Sequence, residues 1–209
     1  MNFDYADRAI QEMNRRNLRS FNKLNLLKFD ELNVFKRVKE TYEASADLAK
    51  KKYREIAIEA FIMALIELGW SRERAEKAAK KKIPEDLILD MLEEVDPLTL
   101  YIFTNETERK AQRLSEALLA AHSKRKEIDK ALRLWTLQVS AYADRSVLDG
   151  TRKGYREAGV TKIMWIAQED EKVCTTCEHL NGQVFDIDEL PSRPHFHCRC
   201  TIQAVRESV

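Results

Sequence analysis

Apolar residues recur at helical spacing along most of this chain and give way near its end to the alternation of short strands. From Asp4 to Lys28, Ala6, Ile10 and Met13 share one helical face. Asp30 fits the cap of a second helix, with Glu31 in its first turn. Leu32, Phe35, Val38, Tyr42, Ala49, Tyr53, Ile56, Ala60 and Met63 follow at spacings of three, four and seven, with no glycine or proline before Gly69. That pattern predicts one long helix with a single apolar stripe. Gly69 suits the position just past its end, with Trp70 placed to pack on Leu65. Ser71 can cap a short basic helix from Arg72 to Lys82, ended by Ile83-Pro84. Pro84, Glu85 and Asp86 open an acidic helix that carries Asp90, Glu93 and Glu94. Asp96-Pro97 starts another short helix, and Thr104 or Asn105 with Glu108 caps one that runs through Ala121. After Lys124-Arg125-Lys126 the last helix carries Ile128, Leu132, Trp135, Val139 and Tyr142 on one face. It is expected to fray toward Gly150 and Gly154, and Gly159 ends it.

Beyond Gly159 the period changes. Lys162 to Ala167 is short, β-branched and aromatic, and reads as a strand. Asn181-Gly182 is a hairpin-type turn leading into a strand at Gln183-Val184-Phe185. Asp186 to Pro194 reads as a loop, and Cys200 to Val205 alternates as a last strand. The fold class is therefore mainly α: a long-helix N-terminal region followed by a small β-rich (α+β) C-terminal module.

Composition narrows the function. The chain has 209 residues, 34% of them charged, yet its net charge is only +1. As a whole it is not an electrostatic nucleic-acid binder. Five glycines and four prolines fit long helices and argue against an all-β fold. The basic run Arg15, Arg16, Arg19, Lys23 and Lys28 reads as a solvated helix face, or else as an arm for DNA or a partner helix. The basic and acidic helices on either side of Pro84 neutralise each other on this reading. Glu93 and Glu94, adjacent on a helix, do not face one another and make no acid–base pair. Met1-Asn2-Phe3-Asp4 is not the charged and then apolar start of a secretory signal, so a reducing compartment is expected.

All four cysteines lie near the C-terminus, as Cys174-x-x-Cys177 and Cys198-Arg199-Cys200. Two close thiol pairs about twenty residues apart have the spacing of a structural zinc site. In an extended segment Cys198 and Cys200 point to one side and Arg199 to the other. The candidate ligands are four of five residues: Cys174, Cys177, Cys198, Cys200 and His195, with His197 nearby and His179 more remote. No βαβ unit precedes the first pair to make it a thioredoxin-like dithiol. Neither H-E-x-x-H nor the deaminase H-x-E with P-C-x-x-C occurs. Lys172, Arg193 and Arg199 are close enough in sequence to offset the charge of bound thiolates.

The same residues carry a resemblance. Asp170-Glu171-Lys172-Val173-Cys174-Thr175-Thr176-Cys177, then Leu180-Asn181-Gly182-Gln183-Val184-Phe185, then Pro194-His195-Phe196-His197-Cys198-Arg199-Cys200-Thr201, resembles the C-terminal domain of the phage minor head proteins typified by phage Mu protein F. The family pattern looks like D-x-x-V-C-x-x-C, L-[DN]-G-x-x-F and H-P-x-C-R-C-T. The chain departs from that pattern at Phe196, where the family has proline, and in the family's Arg-Thr-Glu helix motif, since the nearest helix reads Tyr142-Ala143-Asp144-Arg145-Ser146.

The resemblance covers roughly the last third of the chain; the periodicity gives a helical region over 1–123, and the resemblance implies a Mu protein F-like domain over 124–209, made of a helix at 124–158 and a zinc-stapled, zinc-binding β module at 160–209. It implies a phage minor capsid or head-morphogenesis protein at the portal or inner head, acting in assembly, DNA packaging or ejection and not as an enzyme. Expected partners are the portal protein, the major capsid protein, or both, with packaged DNA as a further candidate and neither membrane nor small-molecule substrate. The expected location is the virion head, and the host cytoplasm during assembly, without secretion. The alternative reading is a zinc-dependent nuclease or a zinc-stabilised nucleic-acid-binding module.

Overall fold

The computed structural model describes residues 4–26, 31–83, 107–168, 173–194 and 198–205. The readings at Asp30, over 84–106 and at Glu169-Asp170-Glu171 lie outside them. Among the described residues the helices α1 (Asp4–Leu24), α2 (Glu31–Glu67), α3 (Arg72–Lys82), α4 (Thr107–Ala120) and α5 (Lys124–Glu157) come first. Then follow β1 (Lys162–Ile166), the short α6 (Thr175–Leu180), β2 (Val184–Asp186) and β3 (Thr201–Ala204). Among the described residues no helix is long and apolar enough to cross a membrane.

The helix signals hold at the level of single hydrogen bonds. At the end of α2, Gly69 adopts φ 92°, the Trp70 amide donates to the Leu65 carbonyl at 3.1 Å, and the Gly69 amide donates to Ile66 at 2.9 Å. These two bonds satisfy carbonyls that the helix end leaves bare. Ser71 caps α3, its hydroxyl accepting from the Arg74 amide at 3.3 Å.

By contact the chain forms two compact units. One comprises 7–53 and 86–140, the other 1–6, 54–85 and 141–209. The sequence division at residue 123 follows chain order, whereas α2 and α5 each contribute to both units.

In the first unit Phe21, Tyr42 and Trp135 stack edge to face, with centroids 5.1 and 5.2 Å apart. Trp135 donates its indole N–H to the Ser45 hydroxyl at 2.5 Å, and Ser45 donates to Asn17 Oδ1 at 2.6 Å. The Tyr53 hydroxyl donates to the Val139 carbonyl at 2.6 Å. A wholly apolar stripe would leave such groups unsatisfied once buried. Here the polar groups pair across helices and so fix their register.

The second unit carries the sheet, in the order β2-β1-β3 and antiparallel throughout. β1 is the central strand: Ile163 faces Phe185 on one side, and Trp165 faces Ile202 on the other. Ile163, Trp165 and Ile202 are buried with Ala64, Leu148 and Tyr155 from the helices and with three of the cysteines. Gly150 and Gly154, read as points of fraying, are instead buried mid-helix. Gly150 meets Ala57 and Ala60, and Gly154 meets Phe61 and Ala64. No side chain fits between the two backbones at these points. The missing Cβ, which costs an isolated helix stability, is here what permits close packing.

Candidate metal centre

The first cysteine pair opens a helix and does not sit on a bare turn. Cys174 is the N-cap of α6: its extended backbone precedes the helix, and its sulfur accepts from the Cys177 amide at 3.4 Å. Cys177, one turn on, is buried. The end of α6 is held to β1, since the Gly182 amide donates to Trp165 at 2.8 Å and the Ala167 amide donates to Asn181 Oδ1 at 2.8 Å. The second pair lies just before β3. There Cys198 and Cys200 are both buried while Arg199 is exposed, as the i, i+2 spacing requires.

The fold brings these elements to one place. The sulfurs of Cys177, Cys198 and Cys200 lie within 4.8 Å of one another, and those of Cys177 and Cys198 are 3.6 Å apart. Two thiolates on a tetrahedral zinc ion, each at about 2.3 Å, are about 3.8 Å apart, so the donor set fits such an ion. All four cysteines are free thiols. Cys174 is half-buried and outside the cluster of three, although its thiol reaches that of Cys177. His195 and His197 lie outside the described residues, while His179 is exposed on α6.

The electrostatics fit a site that needs a cation. Burial pushes the Cys177 thiol up, and the neighbouring thiols of Cys174, Cys200 and Cys198 push it further. Burial also raises Cys198, against the pull of Arg193. Cys174 is lowered, chiefly because the Cys177 amide donates to it. Crowded buried thiols resist ionising together, and a bound metal ion removes that penalty.

Two residues near the site carry roles that their sequence context does not signal. Arg193 donates from Nη1 to the Cys198 carbonyl, and from Nη2 to the carbonyls of Asp144 on α5, at 2.7 Å, and Cys200, at 3.4 Å. Asp149, also on α5, is pushed up to about 6 by burial, against the pull of Arg193, Lys153, Arg152 and Arg145. A carboxyl raised in the folded state binds its proton more tightly there than in the unfolded chain. Stability therefore falls as pH rises from about 4 to about 6, and the loss persists above that range. Asp149→Asn removes the effect. Thermal unfolding of variant and parent should nearly coincide at pH 4, with the variant gaining up to about 3 kcal/mol by pH 7. A difference that does not change with pH would rule out this origin.

Residues 147–203, from the middle of α5 into β3, match the family described as Phage Mu protein F like protein. No curated protein and no solved structure matches the chain. The matched stretch contains both cysteine pairs, the sheet that holds them and the glycine pair of α5. The C-terminal part of this chain is thus similar to the phage Mu protein F-like family, and the match supports a head-morphogenesis assignment.

Proposed function

We propose that this protein is a phage minor head protein, carried in the virion and associated with the portal or the inner capsid. There it serves assembly, DNA packaging or ejection without catalysing a reaction. We propose further that its thiol cluster holds a structural zinc ion, with Cys177, Cys198 and Cys200 as ligands and Cys174 or His195 in the fourth position. A zinc ion so held supplies a tetrahedral cross-link between elements.

The observation that carries this reading is the convergence of three buried thiols inside the segment that matches the family. The chain's own contribution is to orient them. The turn of α6 presents Cys177, the extended run before β3 presents Cys198 and Cys200, and β1 holds the two together. Strands of five, three and four residues bury little apolar area by themselves, and modules of this size depend on such a staple. On this reading the stapled module is a rigid knob, and the amphipathic helices offer the surface for portal or capsid subunits.

Elemental analysis of the purified full chain, paired with thiol titration, is expected to give one zinc ion per chain and thiols that react only after chelation. Coexpressed with the portal protein of its own phage, the chain is expected to co-purify with that protein. Absence from purified virions would defeat the head-protein reading. Nicking of plasmid DNA by metal-loaded protein, lost on His195→Ala, would replace it with the nuclease.

A further inference from the structure

We infer that Arg193 is the positioning residue of the thiol cluster: its guanidinium, bonded to the carbonyls of Cys198, Cys200 and Asp144, fixes the spacing of the second cysteine pair and supplies the cation that offsets its bound thiolates. The inference rests on the metal-site reading above.

Of the three cations close in sequence, Lys172 lies outside the described residues and Arg199 is exposed. Arg193 alone of the other two turns inward. It sits in the loop between Pro191 and Pro194, and its donors go to main-chain carbonyls rather than to sulfur. It therefore leaves the thiolates open to a metal while gripping the backbone that carries them. The carbonyls of Cys198 and Cys200 are two residues apart on one extended run, and one planar fork spans both. A lysine ammonium can carry the charge but lacks the fork.

The third bond, to Asp144, anchors this grip on α5 within the same unit. The charge placement agrees. Burial works against the Arg193 charge, while Cys198, Asp144 and Asp149 act in its favour. A zinc ion with three or four thiolates is a net anion, and a buried guanidinium beside it lowers the cost of gathering that charge.

The test is cobalt(II) titration of the full chain, reading the thiolate-to-cobalt charge-transfer and d–d bands, with zinc affinity from competition against a chromophoric chelator. The parent, Arg193→Gln, Arg193→Lys and Arg199→Gln are compared, with helical circular dichroism as the folding control. Arg193→Gln is expected to weaken binding about 10- to 100-fold and to shift the d–d bands. Arg193→Lys should recover part of the affinity but not the parent spectrum, and Arg199→Gln should behave as the parent.

Parent affinity and spectrum in Arg193→Gln would overturn the inference, as would an equal loss in Arg199→Gln. If Arg193→Gln does not fold, Arg193→Lys decides: parent affinity together with the parent spectrum rejects the positioning role. A parent chain that binds no cobalt overturns the metal-site reading itself, which is a different result from a parent that binds and an Arg193 variant that binds equally well.

Discussion

Cys198→Ser is expected to abolish tight zinc binding and to unfold the sheet-bearing end of the chain under conditions where the parent is folded. Cys198 lies in the same buried cluster as Ile163, Trp165 and Ile202, so a metal ion held there would share its neighbours with the core. In small zinc modules the metal contributes on the order of 10 kcal/mol, comparable with the whole stability of a domain, about 5–15 kcal/mol. Losing one thiolate removes several kcal/mol of that. In urea the zinc-loaded parent should show a late transition, and the variant a C-terminal transition shifted to low denaturant. A chelator should bring the parent down to the variant. Serine is close to cysteine in size, so in the metal-free state the two proteins should differ by about 1 kcal/mol. Cys174→Ser is the internal comparison: its thiol is half-buried and outside the cluster of three, so its effect should be smaller. Equal stability of zinc-treated parent and Cys198→Ser would dispose of the staple.

The comparison of Cys174 with Cys198 also shows what kind of information a sequence carries. The pairing of thiols was legible because ligand spacing is local: Cys198 and Cys200 flank Arg199 on an extended run, and the exposed Arg199 follows from that spacing. The stripe from Val38 to Ala60 was legible for the same reason, since 3.6-residue periodicity needs no knowledge of the partner. So were the ending at Gly69 and the cap at Ser71, each decided within six residues. Features that depend on distant segments were not legible. The hydrogen bond from Trp135 to Ser45 joins residues 90 apart, and Arg193 reaches Asp144 across 49. The cysteine spacing marks Arg199 as exposed, but nothing local says that Arg193 turns inward; only the folded loop shows that. Cys174, one of the five candidate ligands, is also the N-cap of α6, a role that ligand spacing does not show. The glycines of α5 depart from the expected fraying for a related reason: intrinsic propensity describes an isolated helix, and these positions face another one.

The close approach of α2 to these glycines yields the last large effect. Gly150→Ala and Gly154→Ala should each destabilise the protein, although glycine-to-alanine changes inside helices ordinarily stabilise by about 1 kcal/mol. A Cβ at residue 150 would overlap the Ala57 carbonyl oxygen and lie 2.8 Å from the Ala60 Cβ. One at residue 154 would lie 2.6 Å from the Phe61 carbonyl oxygen and 2.8 Å from the Ala64 Cβ. Backbone atoms cannot rotate aside as a flexible side chain can, so α2 and α5 must separate locally. Overpacking of this kind costs about 1–3 kcal/mol, and main-chain contacts place these sites toward the upper end. Melting temperatures should fall by roughly 4–10 °C per substitution for a chain of this size. Ala64→Gly should recover part of the loss in Gly154→Ala by removing one of the two overlaps, whereas the carbonyl of Phe61 remains in place. Because Leu148 and Tyr155 on the same helix belong to the core around the cysteines, separation at the glycines should also weaken metal retention in the zinc-loaded protein. A rise in melting temperature in either variant would mean that the helices do not approach this closely, and the packing that seats the thiol cluster against α5 would have to be redrawn.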